Sequence, residues 1–249
     1  MIKNQKVYDV PTRVFHALFA LLFIISFSIA KWTDDESILY AYHMIGGMIM
    51  LTLVILRVGW GMMANNYNEV KDIWIRPNQI IKYFKDYLKK IKWSYPGHNP
   101  ASAAAAFLMM LLTLGLVFTG IGMTGFDQKK NLQDVHELIA NTFLLVVLVH
   151  ILGVLMHSIR FQDFIPLSMI TGNKELNDQQ MKIFKNDTKN HTWFGILMVF
   201  IVGMLFVKLN QSLDKKTGQL NFLNKTFQLV EIETNDESVK EEPSELDTN

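Results

Sequence analysis

Cysteine is missing from all 249 residues. That absence removes disulfides, thiolate-bound zinc, cysteine-ligated iron–sulfur clusters and the C-x-x-C-H attachment of c-type haem. A metal or haem in this chain must therefore be held non-covalently, by histidine, methionine or carboxylate. An excess of charge is missing too. Twenty-four basic residues stand against 23 acidic ones, a formal +1, so neither a nucleic-acid partner nor a highly charged surface is expected. No flavin or nicotinamide fingerprint appears, which leaves the supply of any electrons to a diffusible carrier or a separate subunit. What the chain has in quantity is apolar sequence, 50% of its residues, gathered into blocks long enough to cross a bilayer.

Five such blocks are predicted as membrane-crossing helices, over about 11–30, 39–62, 101–126, 136–157 and 191–207. The first has a competing reading as a secretory signal, with Ser28-Ile29-Ala30 as its small-x-small site. Its length, and the Arg13 and His16 within it, argue for a spanning helix instead. The segment 64–100 is a hydrophilic loop in which Ile80, Phe84, Tyr87, Leu88 and Ile91 recur at helical spacing between lysines. That pattern predicts a basic amphipathic helix lying in the interface plane. A second basic-leaning loop covers 160–190, a fifth span covers 190–208, and 209–249 reads as a tail. In that tail residues 231–247 carry eight acids against one lysine, a composition expected to be disordered and solvated. Lys and Arg counts alternate between the connecting segments: three, one, seven, two and five in chain order. By the positive-inside rule the amino terminus is cytoplasmic and the carboxyl tail extracytoplasmic.

The fourth span organises the rest. His136, His150 and His157 follow one another at fourteen and seven residues in an otherwise apolar run. Fourteen residues fall about 40° short of four helical turns and seven fall about 20° short of two, so the three imidazoles share one face. His136 and His150 are also separated by about 21 Å of rise, so one helix offers a nitrogen ligand near each membrane surface. An ionisable side chain within a membrane is costly and marks a functional site by default. With the topology above, His43 lies at the depth of His136, and His16 at the depth of His150. Ala20, Gly46 with Gly47, Ala140 and Gly153 stand about one turn beyond these histidines. They leave thin helix surface for a flat ring, although small residues serve plain helix packing as well.

His157 competes with His150 on depth alone, but Arg160 and Phe161 crowd it. It is assigned, with Arg160, to a site for a proton-carrying substrate; a solvated interfacial histidine is the plain alternative. His191 is expected at the membrane surface, and His98 as a loop or capping residue. Arg57 shares the face of His43 and reaches the depth of the inner pair, and Arg13 precedes His16 by about one turn. A guanidinium suits bidentate pairing with a carboxylate such as a haem propionate; snorkelling to the interface is the alternative.

Several motifs together resemble the bacterial di-haem membrane cytochrome b family, which includes cytochrome b561 proteins and the b-type subunits of nickel–iron hydrogenases. They are Val7-Tyr8-Asp9-Val10-Pro11-Thr12-Arg13 leading to His16, Tyr42-His43 with Gly46-Gly47, and Arg57 with Trp60-Gly61. Gly97-His98-Asn99-Pro100, the His136-Glu137 to His150 to His157 ladder, and Met169-Ile170-Thr171-Gly172 complete the set. The resemblance covers about residues 7–174. It implies an all-α membrane protein whose residues 1–175 form a four-helix transmembrane bundle around two b haems. It also makes His16, His43, His136 and His150 the axial metal ligands, and points to His157 for a quinone site. The fifth helix and the tail fall outside it.

The expected function is electron transfer between the quinone pool and an extracytoplasmic redox protein, a c-type cytochrome or a hydrogenase-type subunit. Two other classes stay open: a membrane-anchor cytochrome b subunit of a larger oxidoreductase, and a non-haem proton-coupled transporter whose histidines form a relay.

Overall fold

The computed structural model describes residues 3–74, 76–89, 95–124, 129–161, 165–176, 178–184, 189–222 and 224–230. The acidic run 231–249, Ile91 of the expected amphipathic helix and Phe126 of the expected third span lie outside these residues.

Capping chemistry sets the helix starts. Helix α1 (Val10–Trp32) begins where the Asp9 side chain accepts the Thr12 backbone N–H, with Pro11 in the first turn. A proline there removes an N–H that has no helical acceptor in any case. Helix α2 (Ala41–Met63) follows a short 3-10 turn at Ile38–Tyr40. Helix α3 (Pro77–Leu88) is the expected amphipathic helix. Helix α4 (Pro100–Met123) repeats the device of α1, with Asn99 accepting the Ser102 N–H at 2.8 Å. Helix α5 (Lys129–Phe161) is the longest at 33 residues, about 50 Å at 1.5 Å per residue, so it extends well beyond a hydrocarbon core of about 30 Å. Short helices α6 (Ile165–Thr171) and α7 (Asp178–Ile183) lead to α8 (Thr192–Ser212).

Among the described residues, five segments are long and apolar enough to cross a membrane: Val10–Trp32, Ile38–Met63, Pro100–Met123, Lys130–Arg160 and Thr192–Ser212. Their outward faces are apolar, as with Leu138, Val149 and Ile159 on α5, which is stable only against lipid. The chain is a multi-pass membrane protein. Its basic face carries the amino terminus, α3 and the start of α8, and the opposite surface is termed the distal face.

Small residues bring the helices together, as expected where lipid removes the hydrophobic drive for association. A Cβ on Gly46 of α2 would collide with the Ser26 hydroxyl of α1, and one on Gly195 of α8 would fall 2.7 Å from Val10. Helix α4 packs on α5 and on α2, and α8 packs on α1 and α2. The fifth helix therefore lies on the α1–α2 side of the bundle.

Two small sheets were not expected. Strand β1 (Lys3–Lys6) pairs antiparallel with β2 (Asn173–Leu176), tying the amino terminus to the loop after α6. Strands β3 (Leu213–Asp214), β4 (Gln219–Phe222) and β5 (Lys225–Gln228) form an antiparallel meander. Residues 209–249 are expected as a tail, but within them residues 209–222 and 224–230 form the end of α8 and the meander. Leu209, Leu213, Leu220, Leu229 and Val230 bury themselves against Ala41, Ile45 and Ile49 of α2. The Tyr42 hydroxyl donates to Asn210 Oδ1 at 2.8 Å. Alternating apolar residues around the turn at Gly218, which has φ of +68°, supply that core. The acidic run beyond masked the signal when the tail was read as one block.

Candidate functional site

At the distal face the rings of His43 (α2) and His136 (α5) face each other with centroids 6.1 Å apart and planes at 72°. Two metal–nitrogen bonds of about 2 Å each, with roughly 1 Å from each nitrogen to its ring centre, also span about 6 Å. The outer partner of each ring fixes its tautomer. His43 Nδ1 lies 2.9 Å from the Ser26 backbone carbonyl, which can only accept, so Nδ1 carries the proton. His136 Nδ1 lies 2.8 Å from Thr119 Oγ1, and that hydroxyl donates to the carbonyls of Gly115 and Leu116 at 2.9 and 3.0 Å. With its proton spent there, Thr119 accepts from His136 Nδ1–H. Both Nε2 lone pairs are thereby left for a metal, the usual arrangement behind a ligating histidine.

The glycines beyond these histidines divide into two kinds. Gly46 closes on Ser26, so it serves helix contact, whereas Cβ atoms on Gly47 and Gly153 would meet nothing within 4 Å. A Cβ on Gly120 would stand 3.7 Å from His136 Cε1. Open backbone at Gly47, one turn beyond His43, and at Gly153, one turn beyond His150, fits a flat, apolar porphyrin at each level, and the donor set fits its iron.

At the basic-face level His16 is exposed on α1 and His150 is half-buried on α5. Both lie within electrostatic reach of His98, which is pushed down to about 3 by its burial and then by Arg57, His16, His150 and Lys174. His98 was expected as a loop or capping residue. It does lie in the loop before α4, whose cap is Asn99, and there it packs edge-on to the Tyr8 ring at 5.0 Å with Nδ1 buried and unpartnered. Arg13 donates to the Thr171 carbonyl at 3.1 Å, and its Nε is also buried without a partner.

Motif residues far apart in the chain converge beneath this level. Asp9 Oδ2 accepts from Trp60 Nε1 at 2.9 Å, and its backbone N–H donates to Asn68 Oδ1 at 3.3 Å. Asn68 in turn donates to the Val7 carbonyl, and its own carbonyl accepts Arg57 Nη1 at 3.0 Å. Arg57 is 3% exposed, so it is held within protein rather than snorkelling. Gly61 lies where a Cβ would strike Val70 and Arg57. Gly172, at φ +83°, lies against the Tyr8 carbonyl and Arg13. His191 packs on Trp60, with ring centroids 4.9 Å apart.

His157 is 5% exposed, so it is not a solvated interfacial histidine. Its Nδ1 shares a hydrogen bond of 3.0 Å with the Tyr83 hydroxyl of α3, and the two rings are nearly parallel. Burial, then Tyr87 and Tyr95, push the Tyr83 phenol up to about 12. The Arg160 guanidinium sits 4.1 Å over the Tyr87 ring. Two contacts thus dock α3 on the end of α5. Beside them a cavity of about 290 Å³ is lined by residues that include Tyr67, Asp72, Arg76, Tyr95 and His98.

Thr119, Tyr83 and the burial of His98 escaped the sequence reading. Thr119 lies on the one early span without histidine, seventeen residues from its partner, and nothing local distinguishes it from other membrane threonines. Nothing in the apolar period of α3 distinguishes Tyr83, which meets a neighbouring helix, from residues that meet lipid.

Residues 7–172 match the family model described as prokaryotic cytochrome b561. A probable Ni/Fe-hydrogenase B-type cytochrome subunit of Bradyrhizobium diazoefficiens is 23% identical over 216 residues, covering 69% of this chain and 86% of that protein. A probable Ni/Fe-hydrogenase 1 B-type cytochrome subunit of Escherichia coli is 23% identical over 145 residues, covering 49% of this chain and 61% of that one. No solved structure matches the chain. Its five apolar helices and its match over two-thirds of its length place this chain in the prokaryotic cytochrome b561 family, as a haem-carrying membrane cytochrome b that transfers electrons.

Proposed function

We propose that the chain binds two b haems, one between His43 and His136 and one between His16 and His150, and links a quinone to a redox protein outside the membrane. The facing pair His43 and His136, 6.1 Å apart with both Nδ1 atoms engaged, is the observation that carries this reading. Haem held by two histidines would supply one-electron chemistry and leave no position for an exogenous ligand, so it would carry electrons. Everything else falls to the protein. Ser26 and Thr119 fix the distal imidazoles. His150, rather than His157, is the partner of His16: both stand within electrostatic reach of His98, whereas His157 lies two turns further along α5 against Tyr83 of α3.

The basic face supports the quinone end. His157, with Tyr83, can hold a proton at Nδ1 in a buried setting, Arg160 flanks it, and the cavity of about 290 Å³ opens beside His98. Arg13, about one turn before His16, and Arg57, in the node just beneath that level, suit propionates directed toward the basic face. The basic face is cytoplasmic by the lysine and arginine distribution, which puts the distal pair and the meander outside, in a bacterial inner membrane.

A second reading is favoured by the names of the relatives: that this chain is the membrane anchor of a hydrogenase or another multi-subunit oxidoreductase. Purification in mild detergent separates the two. A stoichiometric hydrophilic partner supports the anchor; a lone chain that oxidises quinol and reduces an added cytochrome c supports the first. The acidic run 231–247 suits a basic partner of that kind.

A further inference from the structure

The middle of the bundle holds a feature that neither histidine pair uses. Phe143 stands halfway between His136 and His150, seven residues from each, and is 1% exposed. Its ring lies 4.7 Å from Phe23 and 6.2 Å from Phe19 of α1. Those two rings in turn fall between His16 and Ser26, the residue that anchors His43. On both helices, then, aromatic rings occupy the interval between the two histidine levels. Met50 and Leu53 of α2 and Met110 of α4 complete the same buried cluster. All four helices of the bundle close on one another here through apolar side chains.

We propose that Phe143, clasped by Phe19 and Phe23, is the partition between the two haem pockets. It is a positioning residue that keeps both pockets dry on their facing sides and holds them at a fixed separation. This rests on the two-haem reading above. The physical ground is that α5 has its extensive packing against α4, whereas across to α1 it is Phe143 that supplies the aromatic bridge. A ring in that place excludes polar atoms from the two pockets at once. A ferric bis-imidazole porphyrin carries one more positive charge than its ferrous form, so a polar group or water admitted beside it favours the oxidised state.

The test is a potentiometric titration of the detergent-purified or nanodisc-embedded holoprotein, followed in the haem α-band, with pigment counted per chain. Phe143→Gln is expected to retain two haems and to lower both midpoint potentials together. Phe143→Leu, which keeps the space apolar, leaves both near wild type. Thr119→Val, at the far side of the distal pocket, shifts one potential only. Phe23→Gln places an amide in the same interval from α1, and is expected to reproduce the paired shift if Phe143→Gln does not assemble. Two haems whose potentials stay put in both glutamine variants, or a shift confined to one haem, overturn the partition and leave the two-haem reading standing. A wild-type chain with fewer than two haems removes the reading on which the partition rests.

Discussion

A histidine in a membrane segment becomes a metal ligand only if something decides which nitrogen is free. At the distal pair that decision is made by Ser26 and Thr119, one through its backbone carbonyl and one through a hydroxyl already committed to its own helix. Replacing Thr119 with valine keeps the shape and removes the acceptor. Outer-shell partners of this kind are worth about 10–100-fold in metal affinity. Thr119→Val is therefore expected to weaken haem retention at the distal site by that order, read as pigment lost on dilution or chelating wash, with the basic-face haem kept. At the other level His98 is a buried imidazole held near 3, against about 6.5 in an unfolded chain. Between those values the unfolded state binds the extra proton, so stability rises with pH there. Stability from this group is complete above about pH 6.5 and is lost as the pH falls toward 3. The thermal midpoint in detergent should fall on acidification through this window, and His98→Gln should flatten that slope.

Elements explain why the motifs look as they do. Val7 to Arg13, Arg57 with Trp60-Gly61, Gly97 to Pro100 and Thr171-Gly172 are scattered over 160 residues, yet they meet in one node built on Asp9, Asn68 and Trp60. Their role there is to fix the entry of α1, and with it His16. The histidine ladder was legible because a period of 3.6 and a spacing of fourteen need no tertiary information. The five spans were legible from length and apolarity, and α3 from its lysine-interrupted apolar period. Tyr83 was not, since a tyrosine on an amphipathic helix gives no sign of whether lipid or a neighbouring helix receives it. The pairing of β1 with β2 joins residues about 170 apart, and four-residue polar strands leave no pattern to read. Docking of α3 can be tested directly. Tyr83→Phe leaves His157 Nδ1 buried without this partner, a cost of about 1–3 kcal/mol. Amide exchange across α3 and protease cleavage in the segment before α4 should both accelerate, and a lack of change in either would show that the helix is held by other means.

At the scale of the whole molecule, orientation decides what each histidine level can meet. The fifth helix and the meander extend beyond the family match at residue 172 and buttress α2 at the distal face, next to His43. Since the chain contains no cysteine, single substitutions give one clean label each. Lys225→Cys on the meander should react with a membrane-impermeant maleimide in intact cells, and Lys85→Cys on α3 only after the membrane is opened. The reverse pattern would invert the topology and exchange the roles of the two faces.

The account depends most on paired imidazoles at two depths, and haem content per chain measures that directly. The purified protein should show a low-spin b-type reduced-minus-oxidised spectrum and two haems per chain. His43→Ala and His136→Ala should each remove one and the same haem, and His16→Ala and His150→Ala the other. A colourless protein, or full pigment when His43 and His136 are both replaced, would contradict it.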